Sequence, residues 1–180
     1  MVNATIVNVV ATANLNQEVD LYELAKLKEI TYDQEIYGGR VAYLKTSEME
    51  GKVSIFPSGK MISIGTRSEK RAFAELEHVQ RFLIERQIIS CPTLLVPKVQ
   101  NIVLTADFEE NINLEELSQS EKMIYEPEQF PGGILRLEEP CNTTILLFAS
   151  GKAVIAGLKS SKQIRPIIER LTEIIRGHSI

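Results

Sequence analysis

Two segments of the chain carry the same residue pattern about 90 positions apart. Phe56–Gly65 and Phe148–Gly157 both begin Phe-x-Ser-Gly-Lys and close on a glycine five residues later. Further positions match in the same order: Asn8 with Asn101, and Tyr32–Tyr37 with Tyr125–Phe130. A repeat of this length indicates that one supersecondary unit is present twice. We therefore predict a first repeat over residues 1–92 and a second over residues 93–180, intertwined in one fold.

Composition places few limits on the function of the chain. The 180 residues carry a formal net charge of −4, so any contact with nucleic acid must depend on a local face rather than on overall charge. Cys91 and Cys141 lie far apart and outside any paired motif. This favours free thiols in a reducing compartment over a disulfide or a zinc site. No apolar run approaches the roughly 20 residues of a membrane span, and no signal sequence precedes the first strand pattern, so an intracellular protein is expected.

The hydrophobic periods predict the same order of elements in both copies. In the first copy, strands are expected over 4–13, 30–36, 40–46, 52–56 and 60–65, with a short helix capped by Asp20 and a long helix from Ser68 to about residue 88. In the second copy, strands are expected over 98–106, 122–126, 133–138, 143–148 and 152–157, with helices near 114–121 and 160–176. This order is typical of an α+β fold with a mostly antiparallel sheet and its helices on one face.

Alternation within the strands indicates that the sheet has a second apolar face. In the first strand, Val7, Val9 and Ala11 point to one side, while Asn8, Val10 and Thr12 point to the other. The side opposite the helices carries Val, Leu, Ile, Phe and Thr with few polar groups. A face that met only water would be polar, so this face needs a partner. The partner is a ligand, another protein or a nucleic-acid groove.

These segments resemble the TATA-box-binding protein family, and its archaeal branch in particular. The match extends over essentially the whole chain, and its most specific segments are Val99–Val103, Tyr125–Gly132 and Phe148–Lys152. The resemblance implies a pseudo-twofold saddle, a ten-stranded curved antiparallel sheet with helices on the convex face and a stirrup loop at each end. It also implies that the concave face binds and bends AT-rich promoter DNA through the minor groove, a mode for which this family is a standard example. The location implied is cytoplasmic for an archaeal protein and nuclear for a eukaryotic one.

The resemblance further implies which side chains contact DNA. Asn8 and Asn101 can donate hydrogen bonds to the A N3 and T O2 acceptors of the minor groove. Aromatic wedges between base steps are expected at Phe130 and Phe148 in the second copy, and at Tyr37 and Phe56 in the first. The remaining positions are groove and phosphate contacts: Val10, Ile62, Val103, Leu146 and Val154 for the groove, and Ser58, Lys60, Arg136, Ser150 and Lys152 for the backbone. The ordinary explanations stay open, since an asparagine can satisfy a neighbouring strand, a phenylalanine can pack in the core and a lysine can sit in a solvated turn.

Several positions depart from the family pattern, mostly in the first copy. Tyr43 stands where the second copy has Arg136, and Ser54 stands where it has Leu146. Ile64 and Ala156 replace small hydroxyl residues that are usual in the family. Gly38-Gly39 replaces Pro131-Gly132 and predicts a looser first stirrup, and the segment from Tyr43 to Phe56 is one residue longer than its counterpart and carries Glu48 and Glu50. The sequence therefore predicts a divergent family member whose N-terminal half reads DNA more weakly.

The second stirrup is expected to bind a protein. In the family this loop docks transcription factor B, and the resemblance implies Glu126, Glu128 and Gln129 as the contacts, with a solvated acidic loop as the alternative. RNA polymerase would be engaged only indirectly. A homodimer that covers the apolar face in the absence of DNA is a further partner that this reading allows.

No sequence feature points to catalysis, a cofactor or a metal. The Ser-Gly-Lys segments lack the earlier glycine of a phosphate-binding loop, because Ser54 and Leu146 occupy that position. His78 and His178 have no nucleophile beside them in sequence. The rival reading is a saddle-like protein-interaction module or regulator with weakened or lost DNA binding. A third is a domain cut from a larger nucleic-acid enzyme.

Overall fold

The computed structural model describes residues 2–178 and contains, within them, ten strands and four α-helices. The first half of the chain runs β1 (Asn3–Asn14), α1 (Leu21–Leu24), β2 (Ile30–Tyr32), β3 (Ala42–Leu44), β4 (Lys52–Ile55), β5 (Lys60–Thr66) and α2 (Glu69–Glu85). The second half runs β6 (Lys98–Asp107), α3 (Leu114–Ser120), β7 (Met123–Tyr125), β8 (Gly132–Leu137), β9 (Thr143–Phe148), β10 (Lys152–Leu158) and α4 (Ile164–Arg176). Short 3₁₀ turns span Ile36–Gly39 and Ser161–Gln163.

The strands form a ten-stranded sheet in the order β2-β3-β4-β5-β1-β6-β10-β9-β8-β7. The chain divides into two compact units, a first unit of residues 8–100 and a second unit of residues 1–7 with 101–180. Within each unit the neighbouring strands pair antiparallel. The predicted order of strands and helices is therefore confirmed in both halves.

The helices begin where their capping residues place them. The Asp20 carboxylate accepts from the backbone N–H of Tyr22 at 2.9 Å, and the Ser68 hydroxyl accepts from that of Arg71 at 3.1 Å, which satisfies donors that have no partner inside a helix. Both caps were predicted. Ser160 forms a capping box with Gln163 ahead of α4. Pro166 lies in the first turn of that helix, where its missing N–H costs nothing.

Each unit has its own core between the helices and one side of the sheet. In the first unit, Val9 and Ala11 of β1 and Leu76, Val79 and Leu83 of α2 are fully buried. In the second unit the fully or almost fully buried residues alternate along the strands and follow one stripe of α4: Ile102, Leu104, Ile145, Leu147, Ala153, Ile155, Ile167 and Leu171. The predicted alternation is thus confirmed from Val9 onward. Val7 departs from it, with 41% of its surface exposed.

Three predicted boundaries are wrong, and residues with positive φ lie next to two of them. The strand expected over 30–36 ends at Tyr32, and Tyr37 (φ 51°) lies in the 3₁₀ turn that follows it. The strand expected over 40–46 is reduced to Ala42–Leu44. The long helix ends at Glu85 rather than near residue 88, because Gln87 adopts a φ of 58° that a helix cannot contain.

The remaining structural expectations concern thiols, membranes and metals. Cys91 and Cys141 are free. No helix within residues 2–178 is long and apolar enough to cross a membrane. In the same part of the chain, no three His, Cys, Asp or Glu side chains are grouped in a way that would hold a metal ion.

Candidate nucleic-acid interface

The side of the sheet opposite the helices carries the candidate interface, and we call it the open face. Its residues alternate with the buried core residues along each strand. Val10 and Ile62 in the first unit, and Val103, Leu146 and Val154 in the second, are half-buried, whereas their sequence neighbours on the helix side are almost fully buried. These apolar side chains are therefore not covered by the helices of their own unit, as the sequence prediction of a second apolar face requires.

The two predicted asparagines make the same contact in the two units. The Asn8 side-chain oxygen accepts a hydrogen bond of 2.8 Å from the backbone N–H of Gly65, and the Asn101 oxygen accepts one of 2.8 Å from that of Gly157. A backbone N–H can only donate, so the bond fixes which end of each amide is oxygen. The Nδ2 end, with two N–H donors, then points away from the strand that holds the oxygen.

The glycines that hold these amides lie at irregularities in the sheet. The register between β1 and β5 shifts between Val9 and Ala11, and the register between β6 and β10 shifts at the corresponding place. Gly65 and Gly157 have φ values of 91° and 108°, which side chains rarely adopt. This bulge turns the glycine N–H out of the ladder and toward the asparagine. The shared closing glycine is visible in the sequence, and its recurrence in both copies is the signal that could have indicated this role.

The predicted wedge residues are arranged differently in the two units. Phe130 and Phe148 form an edge-to-face pair, with ring centroids 5.8 Å apart and planes at 62°. Tyr37 is 75% exposed on the longer loop of the first unit, while Phe56 is half-buried. Tyr37 and Phe56 line a concavity of about 520 Å³ together with Arg40, Val41, Tyr43 and Ser54. The structure thus brings the second pair into direct ring contact and places the first pair around a hollow.

The duplicated Ser-Gly-Lys segments are tight turns between paired strands. Gly59 N–H donates to the Phe56 carbonyl and Gly151 N–H to the Phe148 carbonyl, each at 2.9 Å, which closes the turn after β4 and after β9. The polar and basic residues predicted to contact phosphate all have exposed side chains: Ser58, Lys60, Ser150 and Lys152. Across the neighbouring strand, the register partner of Lys60 is Asn14 and that of Lys152 is Asp107. The cross-strand neighbour of the lysine is therefore acidic in the second unit and neutral in the first.

Arg136 is exposed on β8 opposite Thr144, but its counterpart in the first unit is not the predicted one. Tyr43 pairs with Ser54, and Ile134 pairs with Leu146, so Tyr43 corresponds to Ile134. The residue that corresponds to Arg136 is Lys45, two positions further along. The predicted equivalence of Tyr43 with Arg136 is therefore wrong, while that of Ser54 with Leu146 is confirmed.

Loop lengths explain the error. Nine residues lie between the paired Tyr32 and Ala42, and seven lie between Tyr125 and Gly133, so the first stirrup is two residues longer. Eight residues lie between the paired Leu44 and Val53, and nine lie between Leu135 and Ile145. The turn with Glu48 and Glu50 is thus one residue shorter than its counterpart, not longer. A sequence comparison without these pairings cannot separate the two compensating changes.

Lys45 is engaged by its own turn rather than extended toward the open face. Its Nζ donates to the backbone carbonyls of Met49, Glu50 and Gly51 at 2.6, 2.7 and 2.7 Å. A neighbouring cation, Lys52, lies over the Tyr43 ring with its Nζ 4.7 Å from the centroid. The first unit therefore presents its cations near the open face through Lys52, Lys60 and Arg40. Sequence analysis missed Lys52 and Arg40, which follow no repeated pattern.

The two stirrups also differ in their internal contacts. In the second stirrup the Glu126 carbonyl accepts from the backbone N–H groups of Gln129 and Phe130 at 2.9 and 3.0 Å, and the side chains of Glu126, Glu128 and Gln129 are exposed. In the first stirrup the Tyr32 hydroxyl donates to the Gly39 carbonyl at 3.0 Å. Burial raises the pKa of Tyr32 above its usual value, which keeps this hydroxyl protonated and donating.

Comparisons with known proteins point in one direction. The family model described as "Transcription factor TFIID (or TATA-binding protein, TBP)" matches residues 3–85 and again residues 96–178. The TATA-box-binding protein of Cenarchaeum symbiosum is 41% identical over 161 residues, which cover 89% of this chain and 87% of that protein. The one of Archaeoglobus fulgidus is 34% identical over 175 residues, covering 94% and 92%.

A solved structure shows the same fold. The chain described as Methanococcus jannaschii TBP superimposes with a TM-score of 0.85 at 32% identity, covering 97% of this chain and 99% of that chain. The expected fold class, α+β with a ten-stranded antiparallel sheet, is confirmed by this likeness together with the strand order.

Proposed function

Because the chain belongs to the TATA-box-binding protein family, we propose that it is a general transcription initiation factor that binds and bends AT-rich promoter DNA through the minor groove. The family resemblance noted in the sequence is confirmed, including its archaeal character. The family is described as a transcription factor, which agrees with the expectation that the chain is not an enzyme. The observation that carries the proposal is the pair of asparagines held alike by Gly65 and Gly157.

The asparagine geometry suits the chemistry of the minor groove. A·T and T·A pairs both present only acceptors there, A N3 and T O2, while a G·C pair adds the N2 amine of guanine as a donor. The two Nδ2 groups are donors on a face that also carries the apolar side chains of Val10, Ile62, Val103, Leu146 and Val154. Each can therefore bond to either orientation of an A·T pair, and a guanine amine would leave donor facing donor.

Bending is proposed from the aromatic residues. Phe130 and Phe148 form a ring pair in the second unit, and a ring inserted into DNA from there would unstack a base step. A kink of this kind widens the minor groove and lets a broad apolar surface meet sugars and base edges. Tyr37 and Phe56 would serve the other half. Fluorescence energy transfer between dyes at the two duplex ends tests the bend, and an unchanged end-to-end distance on binding contradicts it.

The DNA proposal has a test that separates base contact from strand support. Asn8→Asp and Asn101→Asp keep an oxygen that accepts from Gly65 or Gly157, but they remove the Nδ2 donors. We expect affinity for an AT-rich duplex to fall about tenfold or more for each change, with folding retained. Gln119→Glu, an amide-to-carboxylate change on α3, controls for the added charge. Equal affinity of the asparagine variants and this control would reject minor-groove readout by these residues.

Recruitment of transcription factor B is proposed through the second stirrup. Glu126 and Glu128 are exposed on a turn that is closed by hydrogen bonds to the Glu126 carbonyl. Their carboxylates suit a basic surface. The double change Glu126→Lys and Glu128→Lys should abolish the ternary complex on promoter DNA while leaving the binary one, in a mobility-shift assay. Glu138→Lys with Glu139→Lys is the matched control, and loss of the ternary complex in both would attribute the effect to charge alone.

The rival function, a protein-interaction module with weakened DNA binding, has one specific observation in its favour. Lys45, at the position of Arg136, is bonded to three carbonyls of its own turn. A phosphate contact is thereby removed from the first unit. The rival predicts that the chain binds transcription factor B without DNA and shows no preference for an AT-rich duplex over a G·C-rich one. The same mobility-shift experiment decides between the two.

A further inference from the structure

The strand pairings define one row of residues across the open face of each unit. The first row follows successive register partners from β2 to β1 and consists of Thr31, Tyr43, Ser54, Ile62 and Thr12. The second row follows the corresponding partners from β7 to β6 and consists of Ile124, Ile134, Leu146, Val154 and Thr105. Because the rows are matched by hydrogen-bond register, they compare the two halves of the face position by position.

The rows differ in chemistry. Four of the five residues in the first row carry a hydroxyl group, whereas Thr105 alone does so in the second row. The contrast is greatest in the middle of the rows, where the first unit has Tyr43 and Ser54 and the second unit has Ile134 and Leu146 at the corresponding positions. Tyr43 is held in place because the Lys52 ammonium lies 4.7 Å from the centre of its ring.

The rows also differ in shape. Ser54 is much smaller than Leu146, and with Tyr43 it lines the concavity of about 520 Å³ in the first unit. The second unit has a concavity of about 550 Å³ on its own part of the face, lined by Phe148, Val154 and Thr105 among others, and Leu146 and Ile134 take no part in it. The first unit therefore has room and acceptors at the place where the second has aliphatic surface.

We propose that Tyr43 and Ser54 make the half-site under the first unit tolerant of G·C pairs, while the second unit accepts only A·T or T·A. The inference rests on the proposed DNA binding. A guanine N2 amine protrudes into the minor groove as a donor. Against Leu146 and Ile134 that donor is dehydrated and left without an acceptor, which is costly. Against Tyr43 and Ser54 it meets hydroxyl oxygens that accept, with space for the amine. The recognised promoter element is thus asymmetric, strict on one side only.

The test compares guanine with inosine, which pairs with cytosine but lacks the N2 amine. Duplexes carry a single G·C or I·C pair at each position of an AT-rich site, and the ratio of the two dissociation constants measures the cost of the amine alone. Outside the base pairs that Asn8 and Asn101 contact, where both units should reject the amine, we expect a ratio of about ten or more on one side of the centre and below about three on the other. Equal ratios on the two sides would overturn the proposal.

Variants assign the sides to the units. In Tyr43→Phe with Ser54→Ala, the ratio on the tolerant side should rise to about ten. In Leu146→Ser, the ratio on the strict side should fall. Tyr125→Phe, a hydroxyl removed from a strand residue that pairs with Gly133 on the helix side, should leave both ratios as they are. Because each ratio is taken within one variant, a change in its overall affinity cancels.

The outcomes separate this inference from the function on which it rests. Failure of the wild-type chain to bind the all-A·T duplex rejects DNA binding, and the inference with it. The wild-type chain could instead bind that duplex while the G·C to I·C ratio on the tolerant side is unchanged by the Tyr43 and Ser54 substitutions. That result rejects the inference alone. The half-site assignment stands only if the two sets of variants change the G·C to I·C ratio on opposite sides of the site.

Discussion

At the scale of single residues, the duplicated turns depend on glycine because the chain passes close behind them. A Cβ added at Gly59 would lie 2.2 Å from the Gln17 carbonyl oxygen, and one added at Gly151 would lie 2.2 Å from that of Glu110. Both residues have positive φ. The Ser-Gly-Lys pattern that marks the repeat in the sequence is thus a packing requirement as well as a candidate phosphate contact.

Gly59→Ala is expected to lower the free energy of unfolding by at least about 3 kcal/mol, because left-handed strain and a clash with backbone act together. Gly38→Ala is the matched control, since Gly38 has a φ of 63° with nothing within 4 Å of its added Cβ. That change should cost only about 1 kcal/mol. Urea denaturation measures both values, and similar losses would show that the close approach to Gln17 is unimportant.

Residue-level reasoning from the sequence reached the candidate face but not its local geometry. Alternation along the strands placed Asn8 and Asn101 on the same side of the sheet as Val10 and Val103, and the structure agrees. The bond from each asparagine to a bulge glycine depends on a shift in register that periodicity does not encode. The roles of Lys45 and Lys52 likewise depend on which residues face each other across two strands.

At the scale of elements, helix α2 holds the turn between β3 and β4. Glu75 is 2% exposed, and its Oε1 accepts from the backbone N–H groups of Glu50 and Gly51 at 2.6 and 3.0 Å. Lys45 bonds the carbonyls of the same turn from the other side. The turn is therefore held by the Glu75 carboxylate, the Lys45 ammonium and the Arg71 guanidinium, which donates to the Glu48 carbonyl.

Glu75→Ala is expected to lower the free energy of unfolding by about 3 kcal/mol, because the backbone N–H groups of Glu50 and Gly51 lose their carboxylate acceptor and the latter is buried. Glu77→Ala, an exposed change on the same helix, should fall within about 0.5 kcal/mol of the wild type. Thermal or urea unfolding gives both numbers. A small effect at Glu75 would mean that water replaces it as the partner of the turn.

A second contact joins the start of β2 to the end of α2. Glu29 and Arg86 lie 3.2 Å apart, and a backbone hydrogen bond, followed by the charge of Arg86, holds the pKa of Glu29 below its ordinary 4.5. A carboxyl with a lowered folded-state pKa adds stability above its unfolded pKa and loses it as the pH falls through the folded one. Glu29→Gln should therefore lower the melting temperature at neutral pH, and the difference should shrink only below pH 4.5. A constant difference across that range would contradict the linkage.

The order of elements was predictable because apolar residues in each half recur with the usual periods of helices and strands. The caps at Asp20 and Ser68 and the helical stripe of α2 gave clear signals. The first stirrup was not predictable, because Tyr37 adopts a positive φ that its residue type does not indicate. Its two additional residues were hidden by the shorter turn that follows β3, so the totals of the two copies nearly agree.

At the scale of the whole molecule, the net charge is −4, so the proposed DNA binding depends on cations placed locally on the open face. Each phosphate contact adds about 0.9 to the slope of log affinity against log salt concentration. Lys152→Gln and Arg136→Gln should each lower that slope by roughly 0.9. Lys45→Gln should leave the slope unchanged, because its ammonium is bonded to backbone carbonyls, and should reduce stability instead. Fluorescence anisotropy across a salt series measures the slopes, and a lowered slope in Lys45→Gln would show that this cation leaves its turn on binding.

The boundaries of the two sequence repeats, 1–92 and 93–180, stay a prediction of the sequence. The first residues of β1 cluster with the second half of the chain, so the compact units do not follow chain order. What transfers from one repeat to the other is the pattern of strands and caps. What does not transfer is the middle of the row across each unit, where Tyr43 and Ser54 in the first unit correspond to Ile134 and Leu146 in the second.

The bond between each asparagine and its bulge glycine affects how much side-chain freedom the proposed DNA binding would cost. An amide that swung freely about its χ angles would lose that rotational freedom on reaching a base, and the loss would weaken association. Here the rotamer is set during folding, at the expense of one strand N–H. In the proposed complex each amide would therefore meet its base already in the binding rotamer, and association would lose less rotational freedom.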